Sequence, residues 1–204
     1  MGMNGWAVIR DFIGVLETNG KLDRIYRGQA DADWALVPSV FRDGERGIRN
    51  EDDLNAWKSQ ASRFASPMPI DSTEWLVLAQ HYGLATRLLD WTTSPLVALF
   101  FACDGESHSD SDGCVLSIKR SEFKEANHTL TINVFADDRP KPFLINAIGR
   151  NDRSTAQESC LSLHTSTDFT NLSFESIFKV SSNHKRDTIL TLEKLGFTAE
   201  RLHF

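Results

Sequence analysis

Hydrophobic positions in the first half of the chain recur at the spacing of an α-helix. Apolar side chains return every three or four residues in four segments, which predicts four helices with a buried face. Asp71 followed by Glu74 matches a capping box, and Ser94-Pro95 places a capping serine before a first-turn proline. These signals predict where the third and fourth helices begin. The apolar segments are 6–16, 54–64, 75–82 and 96–101.

Beyond residue 113 the pattern changes to alternating and β-branched residues, which are typical of strands. Because helices dominate early and strands late, the order favours an α+β fold over a doubly wound parallel sheet. A helix from about Lys185 to Leu195 closes the chain, and 84–91 indicates a strand or an extended turn. The predicted strands are 21–28, 114–118, 129–135, 159–164 and 176–181.

Composition narrows the class of protein. The 204 residues suit one domain over 1–204, and 41% hydrophobic residues suffice for a core. A net charge of -6 argues against broad binding to nucleic acid backbones, although a local basic patch is compatible with it. Residues 1–10 lack a signal-peptide pattern and no apolar run reaches the roughly 18 residues of a membrane span. We therefore expect a cytoplasmic protein with no membrane partner, in which the three cysteines are reduced.

The first candidate for chemistry is Tyr26-Arg27-Gly28 at the end of a predicted strand. An arginine there can point its planar fork into a cleft and grip a phosphate or carboxylate with two hydrogen bonds. The adjacent glycine lets a ligand or another backbone approach closely. The alternative is an ordinary surface arginine at a hairpin end.

The second candidate is the polar segment 80–94 between two apolar helices. Buried polar groups need partners, so a cluster of this size predicts a shared network or a site. Simpler alternatives are that Arg87 pairs with Asp90 and that 92–94 only caps the next helix, whose N-terminus would also favour an anion. The candidate binding residues are Gly28, His81, Tyr82, Arg87, Asp90, Trp91, Thr92, Thr93 and Ser94.

Two other kinds of site are not predicted. The spacings of Cys103, His108 and Cys114, and of Cys160 and His164, lack the paired pattern of a zinc site. The Gly-x-Ser-x-Gly elbow of many serine hydrolases does not occur in the sequence either. We expect no metal and no such hydrolase.

These motifs resemble the FRG domain family, which is named for its Phe/Tyr-Arg-Gly motif. Arg153, Gln157 and the segment 192–196 resemble its later elements, so the likeness spans nearly the whole chain and implies a single FRG domain over 1–204. The sequence departs at 158–161, where the family more usually has Gly followed by Phe. The likeness rests on Tyr26-Arg27-Gly28, Trp34, Pro38-Ser39, Phe41-Arg42, Ala79 to Gly83, Thr86 to Pro95, Ala98, Phe101 and Ala102.

The order of motifs is also similar to that of Arg-Ser-Glu type ADP-ribosyltransferases. That resemblance implies helices packed on a mainly antiparallel, split sheet, and NAD as substrate. Arg27 would hold the NAD phosphates or ribose, 92–94 would brace the nicotinamide side, and Gln157 or Glu158 would steady a cationic ribose. Neighbouring strand residues face opposite ways, so one of those two would face the cleft. If it is Gln157, the site lacks its carboxylate.

The resemblances lead to an expected function. We expect an NAD-using ADP-ribosyltransferase-like enzyme or NAD glycohydrolase, with catalytic residues Arg27, Gln157 and Glu158 and an unknown protein or nucleic acid acceptor. A bacterial toxin or phage-defence role would fit a compact enzyme of this kind. The alternative is a non-catalytic module that binds a nucleotide, a nucleic acid or a protein. A nuclease using Asp90 with Glu74 or Asp104 ranks third.

Overall fold

The computed structural model describes residues 4–18, 23–42, 44–126, 132–138, 141–146, 158–166 and 168–202. Helices and strands alternate irregularly along these ranges. The helices are α1 (Gly5–Thr18), α2 (Glu51–Ala61), α3 (Ser72–His81), α4 (Pro95–Cys103), α5 (Ser182–Lys194) and α6 (Ala199–Leu202). The strands are β1 (Arg24–Gln29), β2 (Leu88–Thr92), β3 (Gly113–Lys119), β4 (Lys124–Glu125), β5 (Phe143–Asn146), β6 (Ser159–Leu163) and β7 (Phe174–Val180).

The strands form one open sheet in the order β4-β5-β6-β2-β1-β3-β7. Every neighbouring pair is antiparallel except β4 and β5. The α+β class and the mainly antiparallel sheet are therefore confirmed. At the centre, β1 and β2 are joined by one registered pair, Tyr26 with Thr92. By contrast, β1 pairs with β3 along its whole length, and so does β2 with β6. We call β1, β3 and β7 the first half-sheet and the other four strands the second half-sheet.

Each half-sheet carries its own layer of helices. Residues such as Phe12 and Phe100 from α1 and α4 pack with Val115 beside the first half-sheet. Leu76 of α3 packs with Leu163 of the second half-sheet. Intervening strand residues point to the opposite face of the sheet. There a third cluster, which includes Ile25, Trp91 and Leu116, is closed by Leu36 and Phe123.

The backbone of α4 lies directly on the first half-sheet. A Cβ atom added to Gly28 of β1 would stand 2.0 Å from the carbonyl oxygen of Ala98. One added to Gly113 of β3 would stand 1.9 Å from the carbonyl oxygen of Ala102. Such contacts leave no room for a side chain at either glycine position. The glycine of the Tyr-Arg-Gly motif is thus explained by the approach of another backbone.

The predicted helix starts are confirmed at α3 and α4. The Asp71 carboxylate accepts a hydrogen bond from the backbone N–H of Glu74 at 2.8 Å, and the Glu74 carboxylate accepts one from Ile70 at 2.9 Å. At α4, Pro95 occupies the first turn after Ser94, whose side chain makes no capping bond. The hydroxyl of Thr92 instead accepts from the backbone N–H of Ser94 at 3.0 Å.

The strand prediction for 129–135 is wrong over 132–135, and 129–131 lies outside the described residues. The Asn133 side chain accepts from the N–H of Phe135 at 3.1 Å, and the Asn133 carbonyl accepts from Ala136 at 3.2 Å. These bonds close a turn that interrupts the strand. Two strands were not predicted, β4 and β5, which are runs of only two and four residues.

The closing helix begins earlier than predicted, at Ser182 rather than Lys185. The Asp112 carboxylate accepts from the backbone N–H of Ser182 at 2.9 Å, which supplies a cap from a distant part of the chain. Cys103, Cys114 and Cys160 are unpaired and buried. In the ranges that the structure describes, every helix is too short or too polar to cross a bilayer.

Candidate functional site

A pocket of about 270 Å³ opens where β1 and β2 part beyond the Tyr26–Thr92 pair. We call it the central pocket. Both strands continue past that pair without pairing again, so the gap between them forms its base. Its wall is lined by Tyr26, Arg27, Gly28, Ala30, Trp34, Asp90, Trp91, Thr92, Val97, Phe101, Asp104, Gly105 and His108.

Arg27 spans the gap between the two strands. Its Nη1 donates to the Asp90 carbonyl at 2.7 Å and lies 3.9 Å from the Asp90 carboxylate. Its side chain is 19% exposed, and the buried Nε has no acceptor among the described residues. Burial lowers the pKa of Arg27; Asp90 opposes this and the nearby Arg42 adds to it. A guanidinium keeps its charge even so, so Arg27 offers donors to a ligand.

Asp90 is held in place from the other side. Its Oδ1 accepts from Gln80 Nε2 at 2.8 Å, and Gln80 Oε1 accepts from the hydroxyl of Thr86. The pairing of Arg87 with Asp90 that we considered is not what the structure shows. Arg87 donates to Asp137 at 2.9 Å, with its guanidinium 5.4 Å from the ring centres of both Phe41 and Phe135.

His81 and Tyr82 lie elsewhere. They line a second pocket of about 400 Å³ beside Phe64 and Pro67. Glu74 lines the same second pocket, so the structure does not bring it together with Asp90. Of the predicted binding residues, the central pocket collects Gly28, Asp90, Trp91 and Thr92 around Arg27.

Glu158 lies at the edge of this group. The hydroxyl of Thr93 donates to Glu158 Oε2 at 3.3 Å, and the N–H of Thr93 donates to the Glu158 carbonyl at 3.1 Å. Glu158 is exposed and has a φ of 48°, in the left-handed region. Thr93 and Glu158 directly follow and precede the paired residues Thr92 and Ser159. Gln157 and Arg153 lie outside the described residues.

The walls of the central pocket combine aromatic rings with carboxylates. The rings of Trp34 and His108 meet edge to face with their centres 4.6 Å apart, and Trp34 is 43% exposed. Burial raises the pKa of Tyr26, partly offset by Arg24, so its hydroxyl stays neutral. On the other side of Arg27, a smaller cavity of about 260 Å³ is shared with Arg42.

A buried polar chain behind Trp91 escaped the sequence analysis. Trp91 Nε1 donates to Ser162 Oγ at 2.8 Å, Ser162 Oγ lies 2.6 Å from His164 Nε2, and His164 Nδ1 lies 2.8 Å from Asp168 Oδ1. Ser162 and His164 are fully buried. We call these four residues the sealed network. Ser162 in β6 and His164 directly after it were a possible signal, but their partners Trp91 and Asp168 come from other elements.

No metal centre is apparent in the parts of the chain that the structure describes. They hold no group of three His, Cys, Asp or Glu side chains arranged to bind an ion. The polar groups that line the central pocket include Arg27, the hydroxyl of Thr92 and the carboxylates of Asp90 and Asp104.

Comparison with known proteins gives one family. Neither the curated proteins nor the solved structures gave a significant match, and the similarity to ADP-ribosyltransferases rests on the motif order alone. The model of the FRG domain matches residues 23–111, which include β1, β2, α4 and every residue lining the central pocket. A single FRG domain over 1–204 stays a prediction. The predicted likeness to the FRG domain is therefore confirmed over residues 23–111, and the central pocket lies inside that segment.

Proposed function

We propose that this protein is an ADP-ribosyltransferase-like enzyme, or an NAD glycohydrolase, that binds NAD in the central pocket. The observation that carries the proposal is Arg27. Its buried Nε has no acceptor among the described residues, while its Nη1 donates to the Asp90 carbonyl. A guanidinium held at one corner presents its remaining donors in a set direction, which suits a diphosphate oxygen. The division of the sheet at β1 and β2 agrees with the split sheet implied by that enzyme class.

The walls of the pocket support the same ligand. NAD carries a flat, positively charged nicotinamide ring at one end and a diphosphate in the middle. Aromatic rings such as Trp34 and Phe101 attract a flat cation, and Asp90 and Asp104 add negative charge. Arg27 provides the opposite charge for the diphosphate. One pocket thus offers complementary charge to both parts of the molecule.

The proposed reaction breaks the bond between the nicotinamide nitrogen and the ribose carbon. The bonding electrons leave with the nicotinamide, which becomes neutral, and positive charge builds on the ribose. The Glu158 carboxylate, placed by Thr93 next to the pocket wall, would stabilise that charge. Water or an acceptor then attacks the ribose carbon and loses its proton to solvent or to Glu158.

The test is to incubate the purified protein with NAD and to measure released nicotinamide by mass spectrometry. We expect release by the wild type and a loss on the order of a hundredfold in Arg27→Ala, as found when one charge-stabilising donor is removed. Glu158→Gln separates charge stabilisation from binding. Arg63→Ala, an exposed arginine after α2, is the matched control. Full release by both Arg27→Ala and Glu158→Gln would refute the assigned roles.

A second candidate, a non-catalytic NAD- or nucleotide-binding module, is favoured by one observation. Glu158 is exposed and does not line the central pocket. A protein that binds NAD by calorimetry but forms no product, with or without protein and nucleic acid acceptors, would be this module. For the enzyme, a cytoplasmic protein or nucleic acid acceptor and a toxin or phage-defence role are the settings that we propose.

A further inference from the structure

Lys185 of α5 is a buried lysine directly behind the central pocket. Its side chain is 3% exposed, and its Nζ donates to the His108 carbonyl at 3.0 Å and to the Ala30 carbonyl. Burial lowers the pKa of Lys185, and nearby Cys103, Asp31 and Asp112 oppose this. Buried ammonium groups are rare unless their donors are used, so this one requires an explanation.

The two carbonyls belong to the two loops that form the rim of the pocket. Ala30 follows β1, in the loop that carries Trp34, and His108 lies in the loop after α4. Both residues line the pocket, and the rings of Trp34 and His108 meet at its mouth. One ammonium therefore holds both loops together. It binds their backbone carbonyls, so the contacts do not depend on the side chains of Ala30 and His108.

This link comes from outside the segment that matches the FRG domain. Residues 23–111 include both rim loops, whereas Lys185 lies on a helix near the other end of the chain. The same helix is capped by Asp112, whose carbonyl also accepts from the N–H of Ala32 in the first loop at 2.7 Å. The start of α5 and the rim of the pocket are thus joined at several points.

We propose that Lys185 is a positioning residue of the central pocket: it sets the separation of the loops 30–34 and 104–108 and so the grip of the Trp34–His108 rim on a flat ring. The identity of that ring as nicotinamide rests on the proposed function. The effect on the loops does not, because it follows from the hydrogen bonds of Lys185 alone.

The experiment compares the wild type with Lys185→Met, which keeps the length of the stem and removes the ammonium. Lys185→Arg restores two donors, and Lys194→Met, exposed on the same helix, is the matched control. Hydrogen–deuterium exchange, read by mass spectrometry, compares the exchange rates of the backbone amides in 30–34 and 104–111 with those in α2. Calorimetry follows the affinity for NAD and for ADP-ribose, which lacks the nicotinamide.

In Lys185→Met we expect exchange on the order of tenfold faster in the two loops and unchanged in α2, because two buried carbonyls lose a charged donor. The affinity for NAD should fall on a similar scale, the affinity for ADP-ribose should fall less, and Lys185→Arg should recover most of both. If Lys185→Met fails to fold, Lys185→Gln, which keeps donors for one carbonyl, gives the same comparison with a smaller effect.

Exchange that rises equally in α2, or that stays unchanged in the loops, would overturn the inference. So would an equal loss of affinity in Lys194→Met. A wild type that binds no NAD would refute the proposed function instead, and the exchange pattern would still decide the role of Lys185.

Discussion

Among the described residues, the sealed network and the central pocket are two polar clusters that differ in an instructive way. By residue type the sealed network is the more suggestive, because Ser162, His164 and Asp168 line up at 2.6 and 2.8 Å like a hydrolase triad. The central pocket has no such alignment, and its one guanidinium, that of Arg27, lies among rings and carboxylates. Yet the sealed network is closed to solvent, whereas Arg27 has donors to spare. Access and unused hydrogen-bonding capacity, rather than residue type, distinguish a site from a support.

The direction of the hydrogen bonds explains why the sealed network is a support. An indole nitrogen can only donate, so Ser162 Oγ accepts from Trp91. Its own hydrogen then points to His164 Nε2, and His164 Nδ1 donates to Asp168. The second oxygen of Asp168 accepts from the N–H of Thr165 at 2.9 Å. The chain holds Trp91 against the back of the pocket and leaves the serine no path to a substrate.

The largest effect is expected from Gly28→Ala, which tests how the backbone beside the central pocket is packed. The new methyl group would overlap the backbone of α4, so we expect the free energy of unfolding to fall by about 3 kcal/mol or more. Urea denaturation measures this free energy of unfolding. Gly14→Ala in α1 is the control, since nothing lies within 4 Å of its Cβ position and a gain of about 0.5–1 kcal/mol is expected. A Gly28→Ala protein as stable as the wild type would contradict the direct contact of β1 with α4.

A smaller loss is expected from Ser162→Ala, which bears directly on the contrast between the two clusters. Trp91 Nε1 and His164 Nε2 would lose their partner, at a cost of about 2 kcal/mol in unfolding free energy. NAD affinity should change little, unlike in Arg27→Ala. Ser59→Ala, an exposed helical serine, controls for the hydroxyl itself. Loss of turnover without loss of stability in Ser162→Ala would reverse the comparison and make the sealed network the catalytic one.

The smallest effect is a pH dependence of stability that comes from two buried thiols, those of Cys103 and Cys160. Burial raises the pKa of Cys103 and of Cys160 from 9.0 to about 12. The folded state therefore keeps protons that the unfolded state loses. The contribution of these thiols to the free energy of unfolding is complete below about pH 9 and declines as the pH rises toward 12. For Cys103 alone the decline between pH 8 and 9.5 is about 1 kcal/mol.

Urea denaturation of Cys103→Ala across this range should show a shallower decline than that of the wild type. Both thiols should also resist alkylation in the folded protein at pH 8. Rapid labelling of Cys103 or Cys160 under native conditions would mean that the core is open.

Local signals predicted the parts of the fold that depend on neighbouring residues. The Asp71 cap and the Ser94-Pro95 start are sequence-local, and both helices begin there. The strand that carries Arg27 and Gly28 was also predicted, although it ends one residue later, at Gln29. What failed depends on distant partners: Asn133 closes a turn inside an apolar run, and the cap of α5 comes from Asp112.

The candidate site divides in the same manner. The polar segment 80–94 predicted a site, and Asp90, Trp91 and Thr92 do line the central pocket. Arg87 instead bonds to Asp137, which is 50 residues away in sequence. The direction of the Arg87 side chain depends on that long-range contact, which the hydrophobic periodicity of the sequence does not encode. Lys185 and the sealed network were missed for the same reason.

The order of the strands has a consequence for the limits of the folding unit. The chain passes from one half-sheet to the other at each step from β1 to β4 and again between β6 and β7. A fragment cut to the FRG match at 23–111 would retain β1 and β2 but neither β3 nor β6, their long partners. Its two strands would be joined by the Tyr26–Thr92 pair alone. The pocket thus depends on contacts between residues distant in sequence, because its two strands need β3 and β6 as partners.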